Sequence, residues 1–150
     1  MKNIIVFLFS VAILCVACDK NKRASKRLMR PGTWNVVELS VDGANLSPLP
    51  VWQVNDCDIY DTSLCTSSWI LEGIESQFYW QFNDKAERFN ISRVVDTADC
   101  SDFYTEEVEQ QTYNFSGAYK VIESKRKRKE FESYSTLGYP GKKVVIRLEQ

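Results

Sequence analysis

Side chains able to do chemistry are few in these 150 residues, and their types narrow what the chain can do. There is no histidine, which removes a histidine-based triad, a histidine metal ligand and a proton switch near neutral pH. Five cysteines remain: Cys15 and Cys18 in "ILCVACDKNKRASKR", Cys57 and Cys65 at the ends of "CDIYDTSLC", and Cys100. Asp56, Asp58 and Asp61 in "DCDIYD" offer oxygen ligands near a calcium-loop spacing, but the turn glycine and the closing bidentate glutamate are missing, so no metal is expected. Glu72 and Glu75 are close in sequence, yet nothing marks them as an opposed acid and base. The basic run "SKRKRKE" (Ser124 to Glu130) has the charge to meet phosphates or lipid A-type head groups, although a solvated hairpin tip is the plainer reading. The acidic set Asp96, Asp99, Asp102, Glu106, Glu107 and Glu109 reads as solvated in the same way. The expectation is a protein that is not an enzyme and carries no cofactor.

The front of the chain is organised differently. Lys2 supplies a positive start, and Ile4 to Leu14 is apolar except for Ser10, the length of a secretory hydrophobic region and too short for a helix that crosses a bilayer. Asp19, Lys20, Lys22 and Arg23 close it abruptly. Leu14, Cys15, Val16 and Ala17 before Cys18 resemble the lipobox of bacterial lipoproteins, in which small residues precede a cysteine that is lipidated and becomes the mature N-terminus. Cys15 is the poorer candidate because bulky Leu14 precedes it. The resemblance implies a signal peptide over residues 1–17, lipid on Cys18, and residence in the cell envelope, at the outer membrane ahead of the inner. Residues 18–27 are polar and free of aromatics and read as a flexible tether, with Lys20, Lys22, Arg23, Lys26 and Arg27 within reach of anionic head groups. Export to an oxidising compartment permits disulfides. Cys57–Cys65 is the expected pair, with a bridge from Cys100 to either one, or three free thiols, as alternatives.

One domain, residues 28–150, is expected behind the tether. The formal net charge is −1, and −2 without residues 1–17, whose only charge is Lys2, so nucleic acid is not an expected partner. Tyr, Phe, Trp, Val and Ile cluster in short alternating segments. In "TWNVVELSVDG", Trp34 and Val36 share one parity while Val37, Leu39 and Val41 share the other, a slip that a β-bulge would make. Asp42-Gly43 is a turn signal. "PVWQV", "SSWIL", "QFYWQF", "ERFNISRVV", "QTYNFSGAYKV", "KEFESYSTL" and "KKVVIRLE" follow as strand candidates, the pair joined by Asn83-Asp84-Lys85 being the clearest hairpin. Residues 97–110 read as a loop or one short helix. About eight strands at hairpin spacing predict an all-β fold, a small antiparallel up-and-down barrel.

At Gly32-Thr33-Trp34 the chain resembles the lipocalin and calycin barrels, and more closely the lipocalin-like domains of bacterial lipoproteins. In that superfamily a Gly-x-Trp sits at the closed end of the barrel, and the tryptophan packs beneath an arginine or lysine from a late strand. The resemblance implies structural roles for Gly32 and Trp34 and names Arg147 as the partner, a cation over an indole.

Two functions are expected from this frame. In one, a cup lined from among Trp69, Phe78, Trp80, Phe82, Phe89, Tyr113 and Phe115 binds a small apolar molecule. In the other, a filled barrel or β-sandwich is a structural or interaction module that meets another envelope protein. The shortage of glycine and alanine within the strands leans toward a filled interior.

Overall fold

The first strand sets the pattern for the rest. In the computed structural model, which describes residues 20–59, 64–94 and 106–150, β1 (Thr33–Val41) buries Trp34 and Val36, then Leu39 and Val41. Its register against the last strand shifts between Val36 and Glu38, and Val37 is left in solvent. This is the expected bulge: one extra residue lets both halves of the strand turn their apolar side chains inward. Asp42 and Gly43 take φ of 51° and 81°, the pair of left-handed conformations that a tight hairpin turn requires, and the short β2 (Ala44–Asn45) folds back on β1.

The same logic repeats through β3 (Val51–Val54), β4 (Cys65–Leu71), β5 (Ile74–Asn83), β6 (Arg88–Arg93), β7 (Gly117–Ser124), β8 (Arg128–Ser135) and β9 (Pro140–Glu149). From β3 to β9 each strand pairs antiparallel with the next. Because β1 pairs with β3 along one edge and with β9 along the other, eight strands close into an up-and-down barrel, and β2 is an extra strand beside β1. Closure removes the free edges an open sheet would present. The expected hairpin through Asn83, Asp84 and Lys85 joins β5 to β6 and sets Phe82 opposite Phe89.

Two helices lie over the ends of this barrel, and each revises a sequence expectation. The first, α1, is described over residues 20–29. It sits at the end where β1 begins: the Asn21 side chain accepts the Ala86 N–H from the β5–β6 turn at 2.6 Å, and the Trp34 indole N–H donates to the Leu28 carbonyl at 2.8 Å. The flexible tether expected over 18–27 is therefore, from residue 20 onward, a docked helix, and the folded domain starts before Leu28. The physical reason is spacing. Ala24, Ser25 and Leu28 share one helical face and are buried, while lysines and arginines, good helix formers, occupy the rest. So few apolar groups suffice because they have only a barrel mouth to cover.

At the opposite end, α2 (Glu107–Asn114) takes up the front half of the strand expected from "QTYNFSGAYKV". Val108 and Thr112, four residues apart, are buried together, so the helical period wins up to Asn114. The strand starts at Gly117, where a Cβ would lie 2.8 Å from the Ser135 carbonyl oxygen; only glycine allows β7 and the end of β8 so close. The Tyr119 hydroxyl donates to the Phe115 carbonyl at 2.6 Å and ties β7 to the helix end.

A docked α1 predicts that Leu28→Ala lowers unfolding free energy by about 2–5 kcal/mol, the range for emptying a buried leucine site. Urea denaturation measures it; a loss within about 0.5 kcal/mol, typical of exposed positions, would return the segment to the status of a tether.

Candidate functional site

Six of the seven residues expected to line a cup, Trp69, Phe78, Trp80, Phe82, Phe89 and Phe115, are buried inside the barrel. They meet rings instead of space. Phe89 lies 4.5 Å from Phe131 and 4.8 Å from Phe82, Trp52 lies 5.1 Å from Phe78 and 5.3 Å from Trp69, and Phe115 stacks on Trp69 at 5.9 Å, all between ring centroids. These separations are those of aromatic pairs in direct contact. Tyr113, expected on a strand, is on α2 and half-buried. Trp52 and Phe131 hold the middle of the cluster although neither was singled out from the sequence; alternation with Val54 on β3 and with Ser133 on β8 was the available signal.

Polar atoms in this interior are mostly matched. Trp69 Nε1 donates to Gln111 Oε1 of α2 and Trp80 Nε1 to Ser67 Oγ, each at 2.7 Å. Trp52 Nε1, buried among the rings, has no acceptor among the described residues. An orphaned donor of this kind costs about 1–3 kcal/mol.

At the α1 end, Gly32 has φ of 74° and links helix to strand: its N–H donates to the Met29 carbonyl and its own carbonyl accepts the Val54 N–H. Trp34 is fully buried beneath a cation, but the cation is Lys129, with Nζ 4.7 Å from the indole centroid. Arg147, the expected partner, faces outward. Val144, Ile146 and Leu148 are the inward set of β9, so the residue between the last two must point away, and Arg147 bonds Glu38 at 2.5 Å and Glu130 at 3.1 Å. Lys129 shares the inward parity of Phe131 and Ser133 on β8. Its place inside a basic run made it look solvated. The ammonium donates to the Lys125 carbonyl, and its pKa is pushed down to about 8, by burial first and then by the Arg27 charge, with Glu123 opposing.

Cys57 and Cys65 are joined, with Cα atoms 5.5 Å apart, and the bridge lies beside Met29 of α1. Cys18, Cys100 and Asp61 lie outside the described residues, as do Asp96, Asp99 and Asp102. Glu72 and Glu75 are exposed in the β4–β5 hairpin, where Glu75 accepts the Ser68 hydroxyl. Among the described residues, no group of three acidic or cysteine side chains is placed to hold a metal.

Concavities open on the outside of the described residues, and two carry charge. One, of about 660 Å³, runs along the outer face of β6–β8 and mixes Asp84, Glu87 and Glu132 with Arg88 and Lys120. The other, of about 600 Å³, lies between the end of α1 and the β7–β8 turn and is lined by Arg27, Arg30, Lys125 and Arg126 with Pro31, Ser124 and Gln150.

Burial of Lys129 sets a pH dependence. The folded pKa lies below the unfolded value of 10.5, so the unfolded chain binds more protons between about pH 8 and 10.5 and stability contributed by this group rises with pH there. Relative to Lys129→Met, the unaltered protein should gain up to about 2 kcal/mol between pH 7 and 9.5 in urea titrations. A difference between the two proteins that does not change with pH would show that Lys129 titrates as a solvated lysine.

No protein-family model matches this chain, and neither a curated protein nor a solved structure matches it.

Proposed function

We propose that this chain is a lipid-anchored protein of the bacterial cell envelope, outer membrane ahead of inner, whose lipocalin-like barrel is filled by its own side chains. The domain acts as a non-enzymatic structural or protein-interaction module through its outer surface. The contact of the inward rings, with a helix over each barrel end, is the observation that supports this reading over ligand carriage. A carrier needs a cavity that a ligand can enter, commonly some hundreds of Å³, and the six buried residues expected to line one are neighbours of each other. The anchor rests on the sequence: a positive start, a short apolar run and a lipobox ending at Cys18. Each acyl methylene buried in a bilayer adds about 0.8 kcal/mol, so several chains on one cysteine hold a domain there almost permanently.

A second reading has one observation in its favour. The Trp52 N–H inside the barrel, without a partner among the described residues, would be satisfied by a small apolar molecule that carries a hydrogen-bond acceptor.

Native mass spectrometry of the chain from residue 19 onward, purified from bacterial cells, separates the two. The filled-barrel reading expects the bare polypeptide mass and no displacement of a fluorescent fatty-acid probe; a co-purifying lipid in a one-to-one ratio would replace it with the carrier. For the anchor, Cys18→Ser should move the protein from the membrane to the soluble fraction. Unchanged, detergent-dependent membrane retention of that variant would overturn the lipid attachment.

A further inference from the structure

We infer that the concavity between α1 and the β7–β8 turn is a seat for the phosphates of anionic phospholipids, holding this end of the barrel against a membrane surface. The inference rests on the anchor reading for the choice of a membrane over a soluble anion; the charge arrangement stands without it.

Two elements about a hundred residues apart in sequence converge here. Arg27 and Arg30 come from the end of α1 and the residue after it, Lys125 and Arg126 from the β7–β8 turn, and all four are exposed. No residue lining the concavity has a carboxylate side chain. Glu123, adjacent in sequence to the lining residue Ser124, reaches Lys125 at 2.5 Å and also pairs with Arg128. An α-carboxylate on Gln150, where a chain ends there, would still leave cations in excess.

Ion pairing across the described surface makes the contrast sharper. Arg88 pairs with Asp84, Arg93 with Glu109, Arg128 with Glu123, and Arg147 with Glu38 and Glu130. Arg27, Arg30 and Arg126 have no ion pair with any described residue, and all three line this one concavity. Their mutual repulsion is a cost to the folded state that a bound anion removes. Arg27 also adds to the depression of the Lys129 pKa beneath it, so the buried ammonium belongs to the same field.

The position favours lipid phosphate. Helix α1 is described from Lys20, two residues beyond Cys18, and between residues 20 and 30 the chain has six cations and no acid. At about 1.5 Å of rise per residue, Arg27 stands roughly 10 Å along the axis from Lys20. Acyl chains on Cys18 would hold this helix and its basic concavity at head-group level, where an anionic surface attracts each added Lys or Arg. The mature chain has net charge −2, so whole-molecule charge opposes such contact and the local patch must supply the attraction.

The test uses residues 18–150 with Cys18→Ser, so that no acyl chain contributes. Sedimentation with phosphatidylcholine vesicles containing phosphatidylglycerol is compared with sedimentation using phosphatidylcholine alone. Binding is expected only with the anionic vesicles and should fall steeply with salt. Neutralising the patch by Arg27→Gln, Arg30→Gln and Arg126→Gln together should weaken it by on the order of 100-fold. A control with Lys120→Gln, Lys142→Gln and Lys143→Gln removes the same charge elsewhere and should keep most of the affinity. Equal loss in both variants, or no preference for anionic vesicles, overturns the seat. Titration with inorganic phosphate at matched ionic strength gives the remaining arm: saturable binding that needs the three arginines, without vesicle preference, would assign the concavity to a soluble anion and overturn the membrane contact. Because the protein tested is unlipidated, failure here is distinct from failure of the Cys18 anchor, which fractionation reads separately.

Discussion

Closing eight strands into a ring leaves an interior about as wide as the side chains that point into it, and everything else in this molecule follows from how that space is filled. Here it is filled with rings. Trp52, Trp69, Phe78, Trp80, Phe89 and Phe131 come from five strands, β5 supplying both Phe78 and Trp80, and they pack against one another. Aromatic side chains bury more surface per residue than aliphatic ones, so a modest chain obtains a continuous core this way. The cost is at the two mouths of the barrel, where the outermost rings would meet water. Both helices answer that cost: α1 buries Leu28 at the end that holds Trp34, and α2 buries Val108 and brings Gln111 to Trp69. The polar edges of Trp34 and Trp69 are used as the fastenings, so the rings that need covering also hold their covers in place.

Much of the barrel was legible because alternation is a local signal. The slip in "TWNVVELSV" gave away a bulge, since no single register could bury Trp34, Val36, Leu39 and Val41 together. Turn pairs such as Asp42-Gly43 marked their hairpin by the backbone angles they tolerate. What was hidden depends on partners far away in sequence. Residues 18–27 look like a tether until a barrel mouth exists for Ala24, Ser25 and Leu28 to cover. "QTYNFSGAYKV" alternates well enough to be a strand throughout, and only the burial of Val108 and Thr112 on one face decides that its first residues extend a helix. Arg147 and Lys129 show a different failure. Parity alone put Arg147 outside, between Ile146 and Leu148, and put Lys129 inside with Phe131, yet the expectation that a charged run is wet outweighed parity for Lys129.

The buried lysine bears on how the ends of the barrel differ. An ammonium taken out of water is expensive, and at this site it is compensated by the Trp34 ring face and the Lys125 carbonyl, with no ion pair to a carboxylate among the described residues. A methionine would fill similar space without the penalty. The lysine does one thing a methionine would not: its bond to Lys125 fixes the β7–β8 turn over the indole that also fastens α1. Trp34 thus stands between the two elements that carry the exposed arginines, bonded through its N–H to the helix and covered on its ring by the cation that holds the turn.

That arrangement ties the backbone segments that carry the basic end, α1 and the β7–β8 turn, to one indole. A surface whose backbone supports are already fixed loses less entropy when it meets a partner, so weak individual attractions add up. The α2 end is held in the same way. Moving α1 off its mouth of the barrel breaks the hydrogen bond of Trp34, and moving α2 off the other breaks that of Trp69. In the reading proposed above, recognition falls to the outer wall and the ends; among the described residues Arg88, Arg93, Arg128 and Arg147 are matched to acids, whereas Arg27, Arg30 and Arg126 at the α1 end have no ion pair.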